Sequence, residues 1–120
     1  MSDKRTVLVV EDEEMLLSAV SMEFEDAGFD VLCAGTAEEA YDLLRGRAPV
    51  DLLFTDIRLP GQLDGWDLAE RARALQPALP VIYVTGYSAE APRQVADSVL
   101  VMKPYRMAAV IDVARRLGVG

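Results

Sequence analysis

The sequence predicts an α/β fold, a doubly wound (βα)5 sandwich whose five parallel strands run in the order 2-1-3-4-5. Three observations carry this prediction. Short apolar runs alternate with stretches of helical periodicity, five of each, along the whole chain. The runs are continuously apolar instead of alternating, as expected for parallel strands covered on both faces. The alternation fits within 120 residues, the size of one domain around one sheet.

The first strand is Thr6 to Val10, after which Leu16, Val20, Phe24 and Ala27 recur at helical spacing up to a stop at Gly28. Phe29 to Ala34 is the second strand. Thr36, with Glu39 three residues on, has the spacing of a capping box and opens a helix that ends near Arg45 and Gly46. Asp51 to Thr55 is the third strand, followed by a loop from Arg58 to Leu63 and a helix from about Asp64 to Leu75. Pro77 and Pro80 bracket the next turn, and Val81 to Val84 is the fourth strand. A short helix is expected from Ala89 to Asp97, with Pro92 confining it to a first turn or a distortion. Val99 to Met102 is the fifth strand. Met107, Val110, Ile111 and Ala114 mark a last helix that stops at Gly118.

Composition narrows the function. Twelve basic against twenty acidic residues give a net charge of −8, which opposes nucleic-acid phosphates, so no DNA or RNA partner is expected. With no apolar run near the length of a membrane helix and no signal-peptide core, a cytoplasmic protein without a membrane partner is expected. The single cysteine, Cys33, suits a reducing compartment. The chain has no histidine, so its chemistry falls to carboxylates, hydroxyls and lysine.

Polar residues at the strand ends supply those groups. Glu11 and Asp12 follow the first strand, Asp56 the third, Thr85 the fourth and Lys103 the fifth. Each has an ordinary reading by itself: a solvated turn, a cap, a strand exit. In a doubly wound sheet, however, all five line the rim where ligands bind, at the carboxyl ends of the strands. Carboxylates gathered there repel one another unless a cation or a proton compensates. Mg²⁺ is suited to that place, since it takes oxygen ligands and shares its coordination with phosphoryl oxygens.

With VLVVEDEE, LLFTDIRLPGQLDGWDL, VIYVTGYS and VMKPY in this order, the chain resembles bacterial two-component response-regulator receiver domains over essentially its whole length. The resemblance implies a flavodoxin-like sandwich spanning residues 1–120 as a receiver with no output domain. It implies that Asp56 is the phosphoacceptor, and that Glu11, Asp12, Asp56 and the Arg58 backbone carbonyl hold Mg²⁺, directly or through water. Thr85 would donate its hydroxyl to a phosphoryl oxygen and Lys103 would pair with the phosphoryl charge. The phosphoryl donor would be a histidine kinase or a histidine phosphotransfer protein, and a downstream protein partner would read the result. Such a chain is a phosphoacceptor signalling domain and not a turnover enzyme, although it assists its own phosphorylation and dephosphorylation.

Three departures from the family pattern stand out. Leu100 occupies the place, three residues before Lys103, where many relatives have an aromatic switch residue, so Tyr87 or Tyr105 is expected to take part of that role. The Pro60–Asp64 loop is one residue longer, through Gly61-Gln62-Leu63, and Pro92 interrupts the helix expected around it. Two other readings remain open at this level. The chain resembles receivers of hybrid histidine kinases in its Leu59–Gly65 loop and would then be a domain of a longer protein. A haloacid dehalogenase-type phosphatase also uses aspartate, Mg²⁺, threonine and lysine, but its nucleophile follows the first strand in an Asp-x-Asp arrangement that Glu11-Asp12-Glu13 does not match.

Overall fold

The computed structural model describes residues 4–46, 50–86 and 93–119. Its strands are β1 (Thr6–Val10), β2 (Asp30–Ala34), β3 (Leu52–Asp56), β4 (Val81–Thr85) and β5 (Val99–Met102). They form one parallel sheet in the order β2-β1-β3-β4-β5, as predicted. Among the described residues there are four helices: α1 (Glu14–Asp26), α2 (Ala37–Gly46), α3 (Gly65–Leu75) and α4 (Met107–Arg116).

Alternate residues of the same strands feed two separate cores. Leu8, Val10, Leu53, Val81 and Tyr83 pack with α2 and α3, while Val7, Val9, Leu52, Phe54, Ile82 and Val84 pack with α1 and α4. This is why β1, β3 and β4 read as unbroken apolar runs: both of their faces are covered. Burying side chains of this size stabilises by roughly 1.5–3 kcal/mol apiece, so the centre of the sheet is the firm part of the molecule.

The helix ends follow local chemistry. At the end of α1, the Gly28 N–H donates to Glu25 O and the Phe29 N–H to Phe24 O, and the Phe24 and Phe29 rings meet edge-on with centroids 5.4 Å apart. The Thr36 hydroxyl accepts the Glu39 N–H at 3.0 Å, but the Glu39 carboxylate reaches back to the Gly35 N–H instead of closing a box on Thr36. A reciprocal box forms at α3: Asp64 Oδ1 accepts the Asp67 N–H at 2.9 Å and Asp67 Oδ2 the Asp64 N–H at 3.0 Å.

The helix expected over Ala89–Asp97 needs correction. Residues 89–92, Pro92 among them, lie outside the described residues, and Arg93–Asp97 is not helical. The described residues there bond to other elements. The Val95 N–H donates to the Tyr83 hydroxyl at 3.1 Å, and Arg93 reaches Asp67 and Glu70 of α3 at 3.0 and 2.7 Å. Asp97, at φ 57°, sits in the left-handed region.

Candidate functional site

The rim at the carboxyl ends of the strands is built by the sheet itself. The Glu11 N–H donates to Ala34 O, continuing the β1–β2 ladder one step, and this leaves Glu11 buried while Asp12 is exposed. Asp56 and Thr85 are the last residues of their strands, and both are buried. The Lys103 N–H donates to Thr85 O at 2.8 Å, which carries the β4–β5 pairing on to the lysine and fixes where its side chain begins.

These side chains converge. Carboxylate oxygens of Glu11, Asp12 and Asp56 all lie within 4.8 Å of one another. The Lys103 ammonium lies 3.1 Å from Asp56 Oδ2 and 3.8 Å from Glu11 Oε1. Asp56 Oδ1 accepts the Ile57 N–H at 3.1 Å, and Glu11 Oε2 accepts the Glu13 N–H at 3.2 Å. Burial raises the Glu11 carboxyl to about 7, with the Asp56 charge adding to the effect and the Glu13 N–H and Lys103 opposing it. With their protons lost, the three carboxylates outnumber the one ammonium beside them. An all-oxygen donor set with an excess of charge fits a hard divalent cation such as Mg²⁺.

Arg58 is exposed in the loop directly after β3. Leu100 pairs with Tyr83 across β4 and β5 and is packed into the core beneath α2 and α3. Tyr105 lies on the other side of the sheet, its ring edge-on to Phe54 at 6.1 Å, and its hydroxyl is pushed up to about 12, first by burial and then by the charges of Glu11 and Asp56. Leu100 and Tyr105 thus belong to opposite cores. Tyr87 lies outside the described residues.

Sequence reasoning passed over three residues that shape this rim. Gly65 donates its N–H to Ile57 O at 2.7 Å, and a Cβ there would come within 2.8 Å of the Ile57 Cα, so only glycine lets α3 start against the backbone that carries Asp56. The Thr55 hydroxyl donates to Asp56 O at 2.8 Å. Tyr83, fully buried, lies against Trp66 with ring centroids 4.7 Å apart. The signal for Gly65 was its place just before an apolar helix start; contacts made by Thr55 and Tyr83 have no counterpart in sequence spacing.

A parallel sheet with a crevice of carboxylates at its β1–β3 switch point, flanked by a lysine, places the molecule in the doubly wound class with a cation-compatible ligand crevice where that class binds ligands. Residues 7–113 match the response regulator receiver domain model, and the chain belongs to that family. It is 36% identical over 120 residues to the transcriptional regulatory protein AruR of Pseudomonas aeruginosa, covering 92% of this chain and 48% of AruR. It is 30% identical over 115 residues to the response regulator receiver protein CpdR of Brucella abortus, covering 90% of this chain and 92% of CpdR. The chain thus spans about half the length of AruR and nearly all of CpdR. A response regulator receiver protein from Sinorhizobium medicae superposes with a TM-score of 0.90 at 33% identity, covering 96% of this chain and 94% of that one. Among the described residues, no helix is long and apolar enough to cross a membrane.

Proposed function

We propose that this chain is a phosphoacceptor receiver of a two-component or phosphorelay system, in which Asp56 accepts a phosphoryl group from a phosphohistidine of a histidine kinase or histidine phosphotransfer protein. The observation that carries this reading is the Lys103 ammonium 3.1 Å from Asp56 Oδ2, beside two further carboxylates. An Asp56 oxygen attacks phosphorus, the P–N bond breaks, and its electron pair returns to the donor imidazole. Catalysis of this kind is chiefly positioning and electrostatics. Lys103 meets the equatorial oxygens, and Thr85, at the adjacent strand end, donates its hydroxyl to one of them. Glu11, Asp12, Asp56 and the Arg58 carbonyl would hold Mg²⁺, which supplies hard positive charge against the phosphoryl oxygens when bound. The acyl phosphate labels the protein until water removes it, and a protein partner reads the labelled state in the cytoplasm.

Transfer from a phosphorylated histidine kinase tests this. Wild-type protein is expected to take up one base-labile phosphoryl group in the presence of Mg²⁺, and Asp56→Asn none. Equal labelling of both would place the acceptor elsewhere.

A further inference from the structure

The loop between β3 and α3 is held from outside itself. Glu38, in the first turn of α2, accepts the Gln62 N–H at 3.0 Å and the Leu63 N–H at 3.2 Å on the same oxygen, Oε2. Its other oxygen, Oε1, is covered and lies over Gly61, where a Cβ would come within 2.9 Å of it. Gly61 also has φ 97°, so the turn favours glycine, and a Cβ there would push the Glu38 carboxylate aside. Two successive N–H groups aimed at one anion form a nest, and the anion here is a side chain of another element. Its own backbone N–H and those of Gln62 and Leu63, with the Arg71 charge, hold the Glu38 carboxyl below its ordinary range, so it is ionised at neutral pH.

The gripped residues belong to the Pro60–Asp64 stretch that the sequence marks as the departure in this loop. The same loop begins at Asp56 and Ile57, runs through Arg58 and returns to the Ile57 carbonyl at Gly65. Its two ends are therefore anchored on the sheet, and Glu38 fixes the excursion between them. We propose that Glu38 is a positioning residue for phosphoryl acceptance: through Gly61–Leu63 it sets the path of the loop and so the place of the Arg58 carbonyl at the metal site. The inference rests on the reading of Asp56, Mg²⁺ and Arg58 given above.

Three measurements on the full chain test it: amide hydrogen exchange at Gln62 and Leu63 without metal, Mg²⁺ affinity by calorimetry, and the rate of labelling from a phosphorylated kinase. In Glu38→Ala the two amides are expected to exchange faster, with Mg²⁺ affinity weakened by roughly tenfold, as when a group supporting a metal ligand is lost. Labelling at subsaturating Mg²⁺ should slow in parallel and recover at high Mg²⁺. Glu38→Gln keeps a carbonyl acceptor and should recover part of the affinity. Unchanged amide exchange in Glu38→Ala would overturn the strap itself. Faster exchange with unchanged Mg²⁺ affinity and labelling would reduce Glu38 to a loop brace and overturn the positioning role. A wild-type chain that neither binds Mg²⁺ nor labels at Asp56 would overturn the reading of the site, and the proposal with it, whatever the exchange data show for the strap.

Discussion

The Lys103 ammonium, delivered from the end of β5, lies 3.1 Å from Asp56 Oδ2 at the end of β3, so the sheet order alone brings together two residues 47 apart in sequence. β4 lies between the two strands, and only a long side chain spans it.

That reach makes Lys103→Met a sharp test. The variant leaves the Asp56 and Glu11 carboxylates without their cation, and a buried acceptor that loses its partner costs about 1–3 kcal/mol. Urea unfolding at pH 7.5 without divalent ions should show a loss in that range. Labelling of Asp56 by a phosphorylated kinase should fall by at least about tenfold, the kinetic equivalent of about 1.4 kcal/mol.

Glu11 gives a pH dependence with a definite sign. Its folded-state value, about 7, lies above the ordinary 4.5, so the folded protein binds this proton more tightly than the unfolded chain. Its contribution to stability is therefore full below pH 4.5 and is lost as the pH rises toward and through 7. Unfolding of wild type and Glu11→Gln, compared between pH 5 and 8 without divalent ions, should show wild type losing roughly 1–3 kcal/mol relative to the variant as the pH rises. If the cluster holds Mg²⁺ as proposed, saturating Mg²⁺ should cancel most of that difference, because the ion would bind the deprotonated carboxylates. Parallel stability curves in metal-free buffer would contradict the burial-driven rise.

Gly65→Ala should be costly although it adds one methyl group. The new Cβ meets backbone, the Ile57 Cα at 2.8 Å, where nothing flexible can yield. A loss of about 1–3 kcal/mol in thermal or urea unfolding is expected, together with slower labelling, since the displaced backbone carries Asp56.

Tyr83→Phe removes the hydroxyl that accepts the Val95 N–H while keeping the ring against Trp66. A stability loss of about 1 kcal/mol is expected. Exchange of the Val95 amide should rise well beyond what that global loss accounts for, because the residues around it have left the helical pattern to make this bond.

The sheet was legible in sequence because the central strands β1, β3 and β4 are covered on both faces, and the order of the strands then put Glu11, Asp12, Asp56, Thr85 and Lys103 on one rim. Local spacing also identified the end of α1 at Gly28 and the start of α3 at Asp64. What sequence could not carry were bonds between distant segments. Arg93 reads as part of a helix until Asp67 and Glu70, on another element, are seen to hold it. Glu38 reads as an ordinary first-turn acid of α2, and its grip on Gln62 and Leu63 spans 24 and 25 residues. Leu100 stands in sequence where an aromatic is expected; in the sheet, an aromatic, Tyr83, stands directly beside it on β4.

Asp67 has one oxygen committed to the Asp64 N–H, where the loop from Asp56 enters α3, and the other to Arg93, where the chain returns from Thr85. A single carboxylate thus ties the start of α3 to the segment that leads into β5. Removing that one carboxylate would therefore loosen two segments at once, the entry into α3 and the approach to β5.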